Sequence, residues 1–209
     1  YLDPDIRIYS RMDQITATLD GNASMVLTPH LTSPLDDDKR PGEIDILRSG
    51  AYNLGFIAMA GSRDSKAFLA WWQQRLYDHC VVDLPRGLFV DQRWVDLVPG
   101  MFPGVAILRD EGCNAAYWNL AQRPVTRYGN GYEIAGGPLV FFHFSGYDPQ
   151  QPHQLSRHQN RFRVEELPAA MQHLLRTYRA ELLDAGYVAC KSWPFAFGFF
   201  RNGTRLDRK

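Results

Sequence analysis

Apolar residues in this chain fall into short clusters separated by polar, acidic or proline-bearing stretches. Residues 6–9 and 23–28 are short apolar runs of strand type, with a helical turn expected over 12–19 between them. Residues 29–43 hold three prolines and the run Asp36-Asp37-Asp38, and read as a solvated loop. One or two helical turns follow at 43–47, and the near-continuous apolar run Tyr52–Met59 predicts a buried strand. The clearest helix is 63–82, where Phe68, Trp72, Leu76 and Cys80 recur every four residues behind a cap at Ser62 or Asp64. A shorter helix is expected over 90–98, ended by Pro99-Gly100. Strands follow at 105–108 and 139–144, the second apolar on both faces and therefore central. An amphipathic helix over 165–183 sets Leu167, Met171, Leu174, Leu175, Tyr178 and Leu182 on one stripe. Asn202-Gly203 predicts a tight hairpin across 199–204. Strands alternating with helices indicate an α/β domain whose sheet is mostly parallel and flanked by helices.

With 209 residues, 45% of them apolar, the chain can bury one core, and disorder is excluded as its general state. Lys and Arg number 23 and so do Asp and Glu, which leaves no bulk attraction to a nucleic-acid backbone. No run approaches the roughly 18 apolar residues of a membrane helix. Three separated cysteines, Cys80, Cys113 and Cys190, fit a reducing compartment better than a disulfide scaffold or a structural zinc site, so a cytoplasmic location is expected. The opening Tyr1-Leu2-Asp3-Pro4-Asp5-Ile6, which lacks Met, reads as a strand end emptying into a loop, as in a fragment of a longer polypeptide.

Candidate chemistry lies in several places. Asp3 and Asp5 alternate, so on an extended backbone both carboxylates point one way and suit Mg²⁺ or Mn²⁺, although Asp-x-Asp is also common in solvated turns. His143 ends the 139–144 strand, either as a hydrogen-bonded core residue or as a third ligand that would favour Mn²⁺. Asp91-Gln92 opens the 90–98 helix, as a cap or as reacting groups. Asn53 and Gly55 place an amide and a bare backbone inside a buried strand, where glycine often marks a close approach. Arg157, Arg161 and Arg163 with His153 and His158 form either a solvated loop or a phosphate clamp. Trp71-Trp72 reads as core packing or as a sugar-stacking platform.

The order Tyr1-Leu2-Asp3-Pro4-Asp5, Tyr52-Asn53-Leu54-Gly55-Phe56, Phe89-Val90-Asp91-Gln92-Arg93-Trp94, Tyr117-Trp118-Asn119 and His143-Phe144-Ser145-Gly146 resembles the metal-dependent nucleotide-sugar glycosyltransferases of fold A. Within them it is most similar to the retaining family 8 galactosyl- and glucosyltransferases, in a separate bacterial branch. The resemblance covers residues 1–150 and implies a metal, donor and acceptor half, followed by a basic loop, helix and hairpin over 151–209. It further implies that the nucleotide-binding strands preceding Asp-x-Asp are missing. Asp3, Asp5 and His143 then hold Mn²⁺, or Mg²⁺, against a donor diphosphate. Asn53, Gly55 and Gly146 line the substrate site, and Asp91 and Gln92 lie at the reacting sugar. The family's Lys after His-x-x-Gly is absent, so Arg157 or Arg161 replaces it, or the phosphates are bound differently. The implied activity is hexosyl transfer from a nucleotide-diphosphate sugar, such as a UDP-sugar, to a glycan or other acceptor. A metal-dependent nucleotidyltransferase or nucleotide-sugar hydrolase, or a non-catalytic carbohydrate-binding module, remain as alternatives.

Overall fold

A computed structural model describes residues 1–206. Its elements in chain order begin with strand β1 (Ile6–Ile8), helix α1 (Asp13–Asp20), β2 (Met25–Pro29), α2 (Glu43–Ser49), β3 (Tyr52–Met59) and α3 (Arg63–His79). The short strands β4 (Val82–Asp83) and β5 (Leu88–Phe89) lead to a 3₁₀ helix over Gln92–Leu97 and to α4 (Val98–Met101). Then come β6 (Val105–Ile107), β7 (Val125–Tyr128), β8 (Gly131–Ile134), β9 (Gly137–Pro138), β10 (Phe141–His143), α5 (Ala169–Asp184) and α6 (Tyr187–Lys191).

The class is mixed α and β, but the strands form several small, mainly antiparallel sheets in place of the expected parallel one. Only β2 and β6 run parallel among the named strands; β2–β3, β1–β10, β4–β5 and β7–β8–β9 are all antiparallel. Alternation of strands and helices sets the order of elements and leaves their direction open. The long 30–51 connection brings β3 back against β2. The two-residue Gly129-Asn130 turn joins β7 to β8, and a link that short permits only antiparallel pairing. The 139–144 strand narrows to β10 and is flanked on both sides as expected, by β1 and by a parallel bridge from Ala115 to Phe142.

Local chemistry accounts for the other differences. Pro168 lacks an N–H and begins α5 four residues later than the periodicity suggests, behind a separate 3₁₀ turn at Val164–Glu166. Pro99 occupies the first turn of α4, where a missing donor is harmless, so it does not end the preceding helix. In α3 the apolar stripe is buried only at Phe68; Trp72 is half-buried and Cys80 exposed. The Asn202-Gly203 turn forms, with Gly203 at φ +82°, but it carries a single bridge from Phe199 to Arg205.

Three apolar clusters hold these pieces together. α5 sets Met171, Leu174, Leu175 and Tyr178 against Phe142 and Phe144, with Tyr178 stacked on Phe144. Phe56, Val26 and Phe141 join the strands carrying Asn53 and His143 into a second cluster. Phe68, Leu27, Val95 and Val98 form the third, beneath the Asp91 turn. Among the described residues no helix is long and apolar enough to cross a membrane.

Candidate metal centre

Two backbone seams bring Asp3 and Asp5 to His143. The Asp3 N–H donates to the Gly55 carbonyl on β3 (2.7 Å), and the Phe144 N–H beyond β10 donates to the Asp5 carbonyl (2.9 Å). Between the seams, Asp3-Pro4-Asp5-Ile6 closes a turn through Ile6 N–H and the Asp3 carbonyl at 3.0 Å. Proline's fixed φ suits its second position. This turn replaces the expected extended triplet, yet both carboxylates still face the imidazole. His143 Nε2 lies 3.1 Å from Asp5 Oδ1 and 3.7 Å from Asp3 Oδ2. One potential ligand atom from each of the three residues falls within 4.8 Å of the others. Burial works to raise the Asp5 carboxyl, but the imidazole beside it, by hydrogen bond and charge, holds it below its ordinary value. The Tyr1 hydroxyl donates to Asp3 Oδ1 at 2.7 Å, and that bond helps push the phenol up to about 12.

The hydrogen-bond network assigns a tautomer to His143. Asn53 Oδ1 accepts from the Gly55 backbone N–H (3.1 Å), which can only donate, so the amide orientation is settled. The same oxygen lies 3.1 Å from His143 Nδ1 and accepts from Asn114 Nδ2 at 3.0 Å. Since an amide oxygen has no proton to give, His143 carries one on Nδ1. With Nδ1 occupied in this way, Nε2 is the nitrogen that faces the carboxylates, where it donates to Asp5 when protonated and would offer its lone pair to a cation that takes the proton's place. A second hydrogen bond through the other nitrogen is what metal-ligating histidines ordinarily have. Trp118 packs edge-on against His143, with centroids 5.2 Å apart. A Cβ at Gly55 would stand 2.5 Å from His143 Nδ1 and closer still to Cε1. The close approach signalled by glycine in this strand is therefore that of the imidazole.

The three residues lie on the wall of a cavity of about 1070 Å³. Asp91 lines it and is half-buried; burial lifts its carboxyl above the usual range, and the Asp3 charge adds to this. Val90 before it has φ +40°, a rare conformation for a β-branched residue. Gln92 also lines the cavity, but its amide is engaged: Oε1 accepts from Leu54 N–H (3.0 Å) and Nε2 donates to the Ser49 carbonyl (2.9 Å). Trp72 stacks on Phe68, as the core-packing reading has it, and also lines the cavity and donates its indole N–H to the Asp91 carbonyl.

The basic loop divides. Arg157 is exposed on the cavity wall; among the described residues its guanidinium bonds only through Nε, to His158 Nε2 at 3.2 Å, which leaves its terminal nitrogens to face an anion. Arg161 is not among the lining residues. Its guanidinium grips Asp37 at 2.7 and 2.8 Å and the Pro41 carbonyl at 2.9 Å, holding the Asp37 carboxyl down at about 2. Beside it, Arg40 N–H donates to Asn160 Oδ1 (2.7 Å) and Asn160 N–H returns a bond to the Arg40 carbonyl (3.1 Å), which laces residues 37–41 to residues 157–161. Gly146, at φ +71°, lies outside the lining; a Cβ there would meet His158 Cδ2 at 2.5 Å, so it seats that loop.

No family model matches the chain, and no solved structure does. Two proteins of Bacillus subtilis (strain 168) are similar to it. The uncharacterized protein YfnD is 31% identical over 149 residues, which is 70% of this chain and 46% of YfnD. The uncharacterized protein YfnF is 28% identical over 187 residues, 83% of this chain and 61% of YfnF. The chain thus spans less than two thirds of each of these relatives.

His30 and Asn114 belong to the network although neither stands out in the sequence. Asn114, at φ +54°, bonds Thr28 Oγ1 and Asn53 Oδ1. His30 Nε2 lies 3.2 Å from Asn53 Nδ2 and so accepts from it. Burial drives the His30 ring from 6.5 to about 4. Between those values the unfolded chain binds a proton that the native state refuses. Stability present above pH 6.5 is therefore lost as the pH falls toward 4, by about 3 kcal/mol in all. Denaturant titrations across that window measure the loss, and His30→Gln should flatten the slope.

Proposed function

We propose that this chain is the metal and acceptor half of a fold A glycosyltransferase, moving a hexose from a nucleotide-diphosphate sugar to an acceptor with a divalent cation, and retaining the anomeric configuration. One observation carries the reading. Asp3, Asp5 and His143, from the two ends of the motif series, meet at one point of a large cavity, beside a carboxylate at Asp91 that is not needed to hold the ion. Two hard oxygens and an imidazole suit Mn²⁺ better than Mg²⁺. When bound, such an ion supplies Lewis-acid neutralisation of a diphosphate leaving group.

The remaining work falls to residues of the chain. Asn53 orients His143 through Nδ1, and Gln92 holds the strand that carries Asn53, so these two position the site without touching the sugar. Arg157 stands where phosphate oxygens can be gripped in place of the family's lysine. Asp91 is the carboxylate able to stabilise positive charge at the anomeric carbon as the bond to the phosphate oxygen breaks.

The test is product analysis with a panel of UDP- and GDP-sugars, with Mn²⁺ or with EDTA. Nucleoside diphosphate should appear only with the metal. Monophosphate or pyrophosphate would mean attack at phosphorus, as in a nucleotidyltransferase or hydrolase. Glycan binding indifferent to metal and nucleotide, without turnover, would mean a non-catalytic module.

A further inference from the structure

The C-terminal part of the described chain exposes an unusual amount of aromatic surface. Trp193, Phe195 and Phe197 are 70%, 73% and 81% exposed, and Phe199 and Phe200 are 53% and 56% exposed. Five such rings within eight residues present on the order of several hundred Å², the scale at which an apolar patch marks a binding surface. The segment is folded. Phe200 N–H donates to the Thr204 carbonyl (2.8 Å) and Leu206 N–H to the Gly198 carbonyl (2.9 Å), closing a tongue around the Asn202-Gly203 turn. Its base is fixed by Lys191, whose ammonium bonds Asp148 (3.2 Å) and Gln150 (2.7 Å), and by the Tyr187 hydroxyl on Asp148.

Charge selects the occupant. Arg201 and Arg205 are exposed on the tongue, and no Asp or Glu occurs from residue 185 to residue 206, although the whole chain is neutral. A symmetric contact between two copies through this face would bring like-charged tongues together with no carboxylate of the segment to offset them. Trp and Phe rings followed by two arginines are instead the composition of a surface that seats its rings at the headgroup boundary and its cations on acidic lipid. We infer that the 193–206 tongue docks this protein on an anionic lipid surface, lying in the interface without crossing it.

Vesicle flotation of the full-length protein tests this independently of any catalytic activity. The protein should float with vesicles containing acidic phosphatidylglycerol and stay behind with neutral phosphatidylcholine, and added salt should weaken the association. Arg201→Gln and Arg205→Gln should each cost about fivefold in partitioning. Trp193→Ser with Phe197→Ser should cost about tenfold or more. Because these positions are exposed, thermal unfolding should be unchanged and will certify that the variants fold. Absence of flotation with acidic vesicles, or flotation unaffected by the aromatic pair, overturns the inference. So does a concentration-dependent dimer that the aromatic pair abolishes, which would assign the face to a second copy.

Discussion

Asp5→Asn is expected to abolish metal-dependent turnover and to weaken Mn²⁺ binding by at least about 100-fold. The substitution is nearly isosteric, and the backbone bond that places the residue, from Phe144 N–H to its carbonyl, does not involve the side chain. What changes is the charge. Asn offers one neutral oxygen where Asp5 Oδ1 lies 3.1 Å from His143 Nε2. Unchanged thermal unfolding without metal, measured beside Mn²⁺ affinity and nucleoside-diphosphate release, separates loss of the ion from loss of the fold. Turnover surviving within about tenfold would show that this carboxylate does not hold the metal.

The second large effect is expected from a single methyl group. Gly55→Ala leaves β3 composed of ordinary strand residues, but the new Cβ falls on the His143 ring, 2.5 Å from Nδ1, and 2.8 Å from Asn53 Oδ1. The imidazole is buried between Asn53 and Trp118 and cannot rotate clear without giving up its bond to Asn53. The variant should lose about 1–3 kcal/mol of stability to overpacking and about 10- to 100-fold in Mn²⁺ affinity as the ligand is displaced. A double-mutant cycle gives the sharper reading. Adding His143→Ala removes the ring that the methyl strikes, so stability should recover toward that of His143→Ala alone while metal binding stays lost. Additive losses of stability would mean that the methyl collides elsewhere.

Elements with strong local signals were legible in the sequence. Tyr52–Met59 is a strand because its run is almost wholly apolar, and α5 keeps the stripe from Met171 to Tyr178 even though Pro168 moves its start past Leu167. Strand direction was not legible, because it depends on how long loops return. The β7–β8 hairpin was legible in principle: Gly129-Asn130 sits between two four-residue strand segments. At the site, residue types and their order pointed to Asp3, Asp5 and His143, while the role of each neighbour emerged only in space. Gln92 and Asn53 share a polar character with residues that touch substrate, and nothing in one dimension reveals that their amides are consumed by Leu54, Ser49, Gly55 and His143. Arg157 and Arg161 look equivalent in sequence. Asp37, far away along the chain, takes one of them and leaves the other.

The lacing of residues 37–41 to residues 157–161 bears on how molecules pass in and out of the cavity. Freeing that wall would break the Arg161–Asp37 fork and the reciprocal Arg40–Asn160 bonds together, so it behaves as one rigid jaw. Another stretch of the wall runs from Phe89 to Asp91, beyond a two-residue strand pair, and there Val90 holds φ +40°. A change of backbone at Val90 would carry Asp91 with it, so the place of that half-buried carboxylate on the cavity wall depends on the strained residue before it.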